Sequence, residues 1–141
     1  MTRVKSYLDY GAFTPVQAAA CAALNGPQDI VEANRQLYHK RRDVLVESFG
    51  RAGWDIPSPA ASMFAWAPLP PALAHLGSLE FSKQLLSHAK VAVAPGVGYG
   101  ENGEGFVRIA MVGNGQRQRE AARNVRKYLQ SMGVNTGVKS A

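Results

Sequence analysis

The architecture of this chain is set by Pro95-Gly-Val-Gly-Tyr-Gly-Glu-Asn-Gly-Glu-Gly-Phe-Val-Arg-Ile-Ala-Met111. Its first part, Pro95 to Gly105, is rich in glycine and predicts a loop, whereas the mostly apolar segment Phe106 to Val112 predicts a strand. The apolar segment Lys90 to Ala94 predicts another strand just before the loop. The stretch therefore predicts a β-hairpin with a glycine-rich connection.

The same loop contains Gly98-Tyr-Gly-Glu-Asn-Gly103, which matches the G-x-G-x-x-G pattern of dinucleotide-binding sites. That site needs a helix directly after the glycines, because the helix N-terminus holds the pyrophosphate. Here the residues after Gly103 lead into the strand that begins at Phe106. The pattern favours a hairpin connection with several positive-φ glycines over a dinucleotide site.

Helices are predicted on both sides of the hairpin, and a further strand precedes it. Those elements are a helix over 14–24 with Thr14 as N-cap, a helix from Pro27 to about Ala52, a strand over 62–67, a helix that Ser78 caps, and a helix over 115–132 that Asn114 caps. Predicted core positions on the last two helices include Phe81, Leu86, Val125 and Met132. The element order predicts an α/β (α+β) two-layer sandwich, with helices packed on a small sheet.

The first two predicted helices have contrasting surfaces. The helix over 14–24 is apolar on nearly every side, which is typical of a helix buried in a larger body. The helix from Pro27 has apolar residues at near-heptad spacing, among them Ile30, Leu37, Leu45 and Phe49. It would extend over about 38 Å, enough to link two bodies.

Arg108 is the single charge in an apolar strand, and a buried guanidinium there needs an anion. Two structural explanations are an edge strand on which Arg108 points to water and an internal ion pair with Glu101 or Glu104. The functional alternative is a clamp for a carboxylate, because the planar guanidinium donates two parallel hydrogen bonds.

Composition excludes several classes of protein. The 141 residues fit one domain, and the single cysteine, Cys21, excludes an internal disulfide and favours the cytoplasm. No apolar run is long enough to predict a membrane span or a signal peptide. Since His39, His75 and His88 lack ligand spacing with one another or with Cys21, we expect no metal site.

The net charge of +6, from 16 basic and 10 acidic residues, permits an acidic partner. Arg119, Arg123 and Arg126 lie opposite the apolar stripe of the last helix, which is typical of a solvated face. We therefore expect no nucleic acid partner. The alternative is a stand-alone basic module that binds nucleic acid through this helix, or a small carboxylate through Arg108.

The glycine-rich stretch with its Arg108 strand resembles the C-terminal signature of class I/II pyridoxal-phosphate aminotransferases, from which it departs at Tyr99 and Met111. The resemblance extends over nearly the whole chain, and Leu76-Gly-Ser-Leu-Glu-Phe-Ser-Lys83 is most similar to bacterial alanine aminotransferases. Diaminopimelate-type aminotransferases are the alternative. The resemblance implies the small C-terminal domain of fold type I pyridoxal-phosphate-dependent transferases, preceded by a long interdomain helix.

The resemblance also implies a function for the complete enzyme, which would move an amino group between an amino acid, alanine being the expected donor, and a 2-oxo acid. Its cofactor would be pyridoxal 5′-phosphate, bound through a lysine of a large N-terminal domain. No lysine of this chain has the family's setting for that bond, so we expect an inactive fragment with no catalytic or cofactor-binding residue of its own.

Carried over onto this sequence, the family pattern predicts that Arg108 binds the substrate α-carboxylate. Phe13 and Thr14 would approach the partner's site in a homodimer. Residues 1–26 would be the last segment of the large domain, 27–133 the small domain and 134–141 a flexible tail.

Overall fold

The computed structural model describes residues 2–8 and 11–134, so the predicted tail, apart from Val134, lies outside the described residues. The chain divides into two compact units, residues 1–35 and 36–141. Within the described part, no helix is both long and apolar enough to cross a membrane.

The first unit contains helix α1, Thr2–Leu8, which was not predicted from the sequence, and helix α2, Thr14–Asn25. The predicted Thr14 cap is wrong, because the carbonyl of Phe13 already accepts the N–H groups of Val16 and Gln17. Phe13 is therefore the N-cap residue, and it provides no side-chain hydrogen bond. Every residue of α2 is exposed within this unit.

Helix α3, Asp29–Arg51, crosses from the first unit into the second. Asp29 and Glu32 lie in its first turn, where the helix dipole favours negative charge. Of its predicted apolar stripe, Leu45 and Phe49 are buried, whereas Ile30 is exposed. The buried residues of α3 therefore lie in its C-terminal half, and Tyr38, before them, is partly buried against the hydrophobic core.

The second unit contains a three-stranded antiparallel sheet of β1, Phe64–Pro68, β2, Ala94–Pro95, and β3, Phe106–Ala110. The strand order is β1-β3-β2, so β3 is central. The hairpin between β2 and β3 is confirmed. The predicted strand over Lys90–Ala94 is wrong except at its end, because Lys90 has a left-handed backbone (φ 57°) that ends the preceding helical segment.

Helices α4, Gly77–Gln84, and α5, Gly115–Ser131, complete the second unit, with a 3₁₀ turn over Pro71–Leu76 before α4 and a π-helical turn over Leu85–Ala89 after it. The predicted Asn114 cap is confirmed, since its side chain accepts the N–H of Arg117 at 2.9 Å. The predicted Ser78 cap is wrong. Ser78 is the second residue of α4, and the carboxylate of Glu104 accepts its N–H instead.

The hydrophobic core lies on one face of the sheet, where Ala65, Ala67, Val107 and Ile109 are buried with residues of α3, α4 and α5. This packing confirms the predicted two-layer sandwich. Two of the core positions predicted for the last two helices are wrong. Leu86 is exposed because the wider π-helical turn changes the helical spacing, and Met132 is exposed because α5 ends one residue before it.

Trp54 closes the core between two helices. Its ring meets Phe49 of α3 edge-on, with 5.6 Å between ring centroids, and Phe81 of α4, with 5.4 Å. Its indole N–H donates to the carbonyl of Pro68 at 2.8 Å, so the one polar atom of the ring is satisfied. These contacts hold the end of β1 against the helices.

Candidate functional site

The sheet face opposite the core carries Arg108. Side chains alternate along a strand, so the burial of Val107 and Ile109 directs Arg108 to the other face. Arg108 is paired in register with Trp66 of β1 and with Ala94 of β2. Because β3 is the central strand, the edge-strand explanation of this arginine is wrong.

Aromatic rings surround the Arg108 guanidinium. Its carbon lies 4.1 Å from the ring centroid of Phe64 and 4.9 Å from that of Tyr99. Trp66 stacks on Phe106 and meets Tyr99 edge-on, with 5.7 Å between centroids in each pair. A cation over such faces is stabilised by about 0.5–1 kcal/mol at exposed sites, and the rings restrict how the guanidinium can turn.

Arg108 has no acidic partner within 4 Å among residues 2–8 and 11–134. The proposed ion pair with Glu104 is not formed, because that carboxylate is hydrogen-bonded to Ser78 and Gly105. Glu101 is exposed, and it too makes no ion pair with Arg108. A partly exposed, fixed guanidinium without a counter-ion is suited to bind a carboxylate.

The glycine-rich loop that carries Tyr99 is held to α4 by Ser78 and Glu104. The Ser78 N–H donates to Glu104 Oε1 at 2.5 Å, and its hydroxyl donates to Oε2 at 3.0 Å. The hydroxyl of Ser78 also accepts the N–H of Val97 at 3.1 Å. Hydrogen bonds from the N–H groups of Gly105 and Ser78 lower the pKa of the Glu104 carboxyl, since they stabilise its charged form.

We expect Glu104→Gln to lower the melting temperature at pH 7, because an amide accepts hydrogen bonds on one atom only. A lowered pKa in the folded state means that the stabilisation exists above the ordinary value of 4.5 and disappears as the pH falls through the folded pKa. The melting temperatures of wild type and variant should therefore converge on acidification. Thermal melts between pH 7 and pH 3 measure this, with the exposed loop residue Glu101→Gln as control. A constant difference across that range would show that the Glu104 charge is unimportant.

Two glycines, Gly96 and Gly103, allow the backbone at the two ends of this loop to approach closely. A Cβ atom on Gly96 would overlap the carbonyl oxygen of Gly103, and one on Gly103 would overlap that of Gly96. Gly100 and Gly105 have φ angles of 111° and 83°, which glycine adopts without strain. These angles confirm the predicted positive-φ hairpin connection, and β3 follows the loop where a dinucleotide site needs a helix.

No described lysine of this chain lies in an enclosed site of the kind that a covalent bond to pyridoxal phosphate requires. Each described lysine is exposed, whereas such a bond needs an amine held in an enclosed site. Lys83 lies 3.8 Å from Glu80, and the amine of Lys90 donates to the carbonyl of Ser87. Lys139 lies outside the described residues.

The other predicted site residues belong to the first unit. Phe13 precedes α2 with its side chain exposed, and Thr14 is exposed as the first residue of that helix. The contribution of Phe64 and Trp66 to the surroundings of Arg108 was not predicted from the sequence. The sequence pattern that could have predicted it is the alternation of aromatic residues with Ala65 and Ala67, which places both rings on the face opposite the core.

Known proteins resemble this chain along most of its length. The family described as aminotransferase class I and II matches residues 2–125. A putative aminotransferase, AatC, from Rhizobium meliloti is 59% identical over 93% of this chain and 32% of its own length. The glutamate-pyruvate aminotransferase AlaC of Escherichia coli is 47% identical over 95% of this chain and 32% of its own length. An LL-diaminopimelate aminotransferase of Moorella thermoacetica is 41% identical over 92% of this chain and 32% of its own length.

A solved structure agrees with the sequence relatives. Substrate-bound BacF from Bacillus subtilis superimposes with a TM-score of 0.80 at 32% identity, covering 89% of this chain and 32% of that protein. The chain thus spans about a third of the relatives it matches. Its fold is that of the small C-terminal domain of pyridoxal-phosphate-dependent transferases, and the chain belongs to the class I and II aminotransferase family.

Proposed function

We propose that this chain is the substrate-carboxylate-binding part of an aminotransferase that moves an amino group between an amino acid and a 2-oxo acid. The observation that carries the proposal is Arg108, a guanidinium held between aromatic rings with no acidic partner among the described residues. Alanine is the proposed amino donor, because transfer from alanine to 2-oxoglutarate is the reverse of the transfer from glutamate to pyruvate that the name of the Escherichia coli relative at 47% identity gives. The relative from Moorella thermoacetica makes diaminopimelate the competing substrate.

Arg108 would act by orientation. Two parallel N–H groups of one guanidinium bind both oxygens of an α-carboxylate, which fixes the carboxylate plane and the direction of the Cα bonds. Phe64 and Tyr99 limit rotation of the guanidinium, and their apolar faces limit the water around the ion pair. The same groups would bind amino acid and 2-oxo acid, because both carry this carboxylate.

The cofactor proposed for the complete enzyme is pyridoxal 5′-phosphate, bound by residues outside this chain. It would supply the electron sink that amino transfer needs. The exposed lysines described above support the view that this chain contributes substrate binding alone.

We further propose that residues 1–26 complete the large domain, that 27–133 form the small domain, and that the complete enzyme is a cytoplasmic homodimer with Phe13 and Thr14 near the partner's site. The exposure of Val16 and Leu24 on α2 supports the assignment of residues 1–26 to the large domain, because apolar side chains on an isolated helix favour burial against another surface.

The chain by itself should show no transaminase activity. The reason is that its described lysines are exposed and unsuited to bond the cofactor. The measurement is turnover of alanine with 2-oxoglutarate, together with an absorption spectrum after pyridoxal phosphate is added and excess removed. A complete enzyme containing this chain is the positive control. Turnover by the isolated chain would disprove the proposed division of labour.

A further inference from the structure

A second basic feature lies away from Arg108, in a cavity of about 250 Å³ between α3 and α5. Four arginines and one glutamate are among the residues that line it, together with Ser48, Ala52 and Ala122. The lining charges are those of Arg51, Arg119, Arg123, Arg126 and Glu47. All of these residues belong to the second unit.

The small residues explain why the cavity exists. Ala52 and Ala122 are each 3% exposed and pack where the two helices meet. Larger side chains at these positions would occupy the space, whereas methyl groups leave a concave floor below the arginines. Ser48 adds a hydroxyl group to the wall, which can donate to an anion.

The charges in this cavity are unbalanced. Glu47 is paired with Arg51, whose guanidinium lies 2.5 Å from its carboxylate. Arg119, Arg123 and Arg126 have no acidic partner within 4 Å among residues 2–8 and 11–134. Within the described part of the chain, three guanidinium groups are therefore left without a counter-ion at one concave surface.

The spacing of the arginines on α5 concentrates positive charge on one side of the helix and destabilises the helix. Residues three and four positions apart share a helix face, so Arg119, Arg123 and Arg126 repel one another. Glu120 is the single acidic residue of α5. An anion bound between these side chains would relieve their repulsion.

We propose that this cavity binds a small anion with at least two phosphate groups. Guanidinium groups match phosphate oxygens with two parallel N–H donors, and a diphosphate offers enough oxygens for several arginines at once. A single carboxylate would pair with one of them. The concave shape favours a compact ligand over an extended nucleic acid, for which α5 has no interleaved aromatic side chains on its basic face.

The test is calorimetric titration of the chain with inorganic pyrophosphate in about 0.15 M salt, where diffuse surface attraction is screened. The site variant is Arg119→Gln with Arg123→Gln. The control is Arg117→Gln with Lys127→Gln, which removes the same charge from positions on α5 outside the cavity. Thermal melts without ligand verify that both variants fold.

We expect one pyrophosphate per chain and an affinity at least about tenfold lower in the site variant, since charge-assisted hydrogen bonds are lost. The control should lose less than about threefold, because neither of the charges that it removes lines the cavity. No saturable binding, or an equal loss in both variants, would overturn the proposal. Tight binding of duplex DNA that both variants weaken equally would indicate a diffuse basic surface. That result would likewise overturn the proposal.

Discussion

Replacing Arg108 with lysine in a complete enzyme that carries this chain is expected to lower kcat/KM by about 10- to 100-fold. Lysine keeps the positive charge but loses the planar pair of donors, so one of two hydrogen bonds to the substrate carboxylate disappears. A hydrogen bond to a charged group contributes about 1.5–3 kcal/mol, and each 1.36 kcal/mol changes a rate tenfold. The measurement is steady-state kinetics with alanine and with diaminopimelate as amino donors.

The fold should tolerate this substitution, because Arg108 makes no ion pair with a described residue and points away from the core. A thermal melt of the same variant separates the two effects. Arg117→Lys on α5 is the matched control, since its side chain is exposed and lies outside the candidate site. Unchanged kinetics together with a large loss of stability would identify Arg108 as a structural residue and remove the basis for the carboxylate clamp.

Gly96→Ala is expected to destabilise the second unit by about 3 kcal/mol or more, at the upper end of the effects of overpacking. The added Cβ would overlap the carbonyl oxygen of Gly103 and lie 2.5 Å from that of Phe106. Both obstacles are backbone atoms, so no side-chain rotation relieves the collision. The loop must then shift, which would change the position of Tyr99 relative to Arg108. Chemical unfolding of the variant measures the loss of stability.

The matched control is Gly98→Ala in the same loop, where the added carbon meets no heavy atom within 4 Å other than those of its own turn. Its φ lies outside the left-handed region, so alanine should be neutral or stabilise by less than about 1 kcal/mol through the unfolded chain. Similar losses of stability in the two variants would mean that an added side chain destabilises this loop at either glycine. The close approach of Gly96 to Gly103 would then not be the cause.

The sequence by itself was sufficient to predict the two layers of the fold, because local periodicity encodes which side of a helix or strand packs against the core. Apolar residues at helical spacing predicted the buried face of α5 around Val125, and Asn114 predicted its start. The unusual charge in Phe106-Val-Arg-Ile-Ala110 also indicated, from the local pattern alone, that Arg108 is a candidate site residue. These signals extend over a few neighbouring residues.

Only the tertiary structure decided which groups surround those residues. The pairing of β1 with β3 brings Phe64 and Trp66 to Arg108 across more than forty positions of sequence, and no local pattern specifies that register. Ser78 resembles a helix cap in sequence, but folding brings the carboxylate of Glu104 to its N–H and hydroxyl groups. Ser78 therefore binds this distant carboxylate and does not cap the helix. Long-range contacts determined these environments because chain distance does not constrain distance in space.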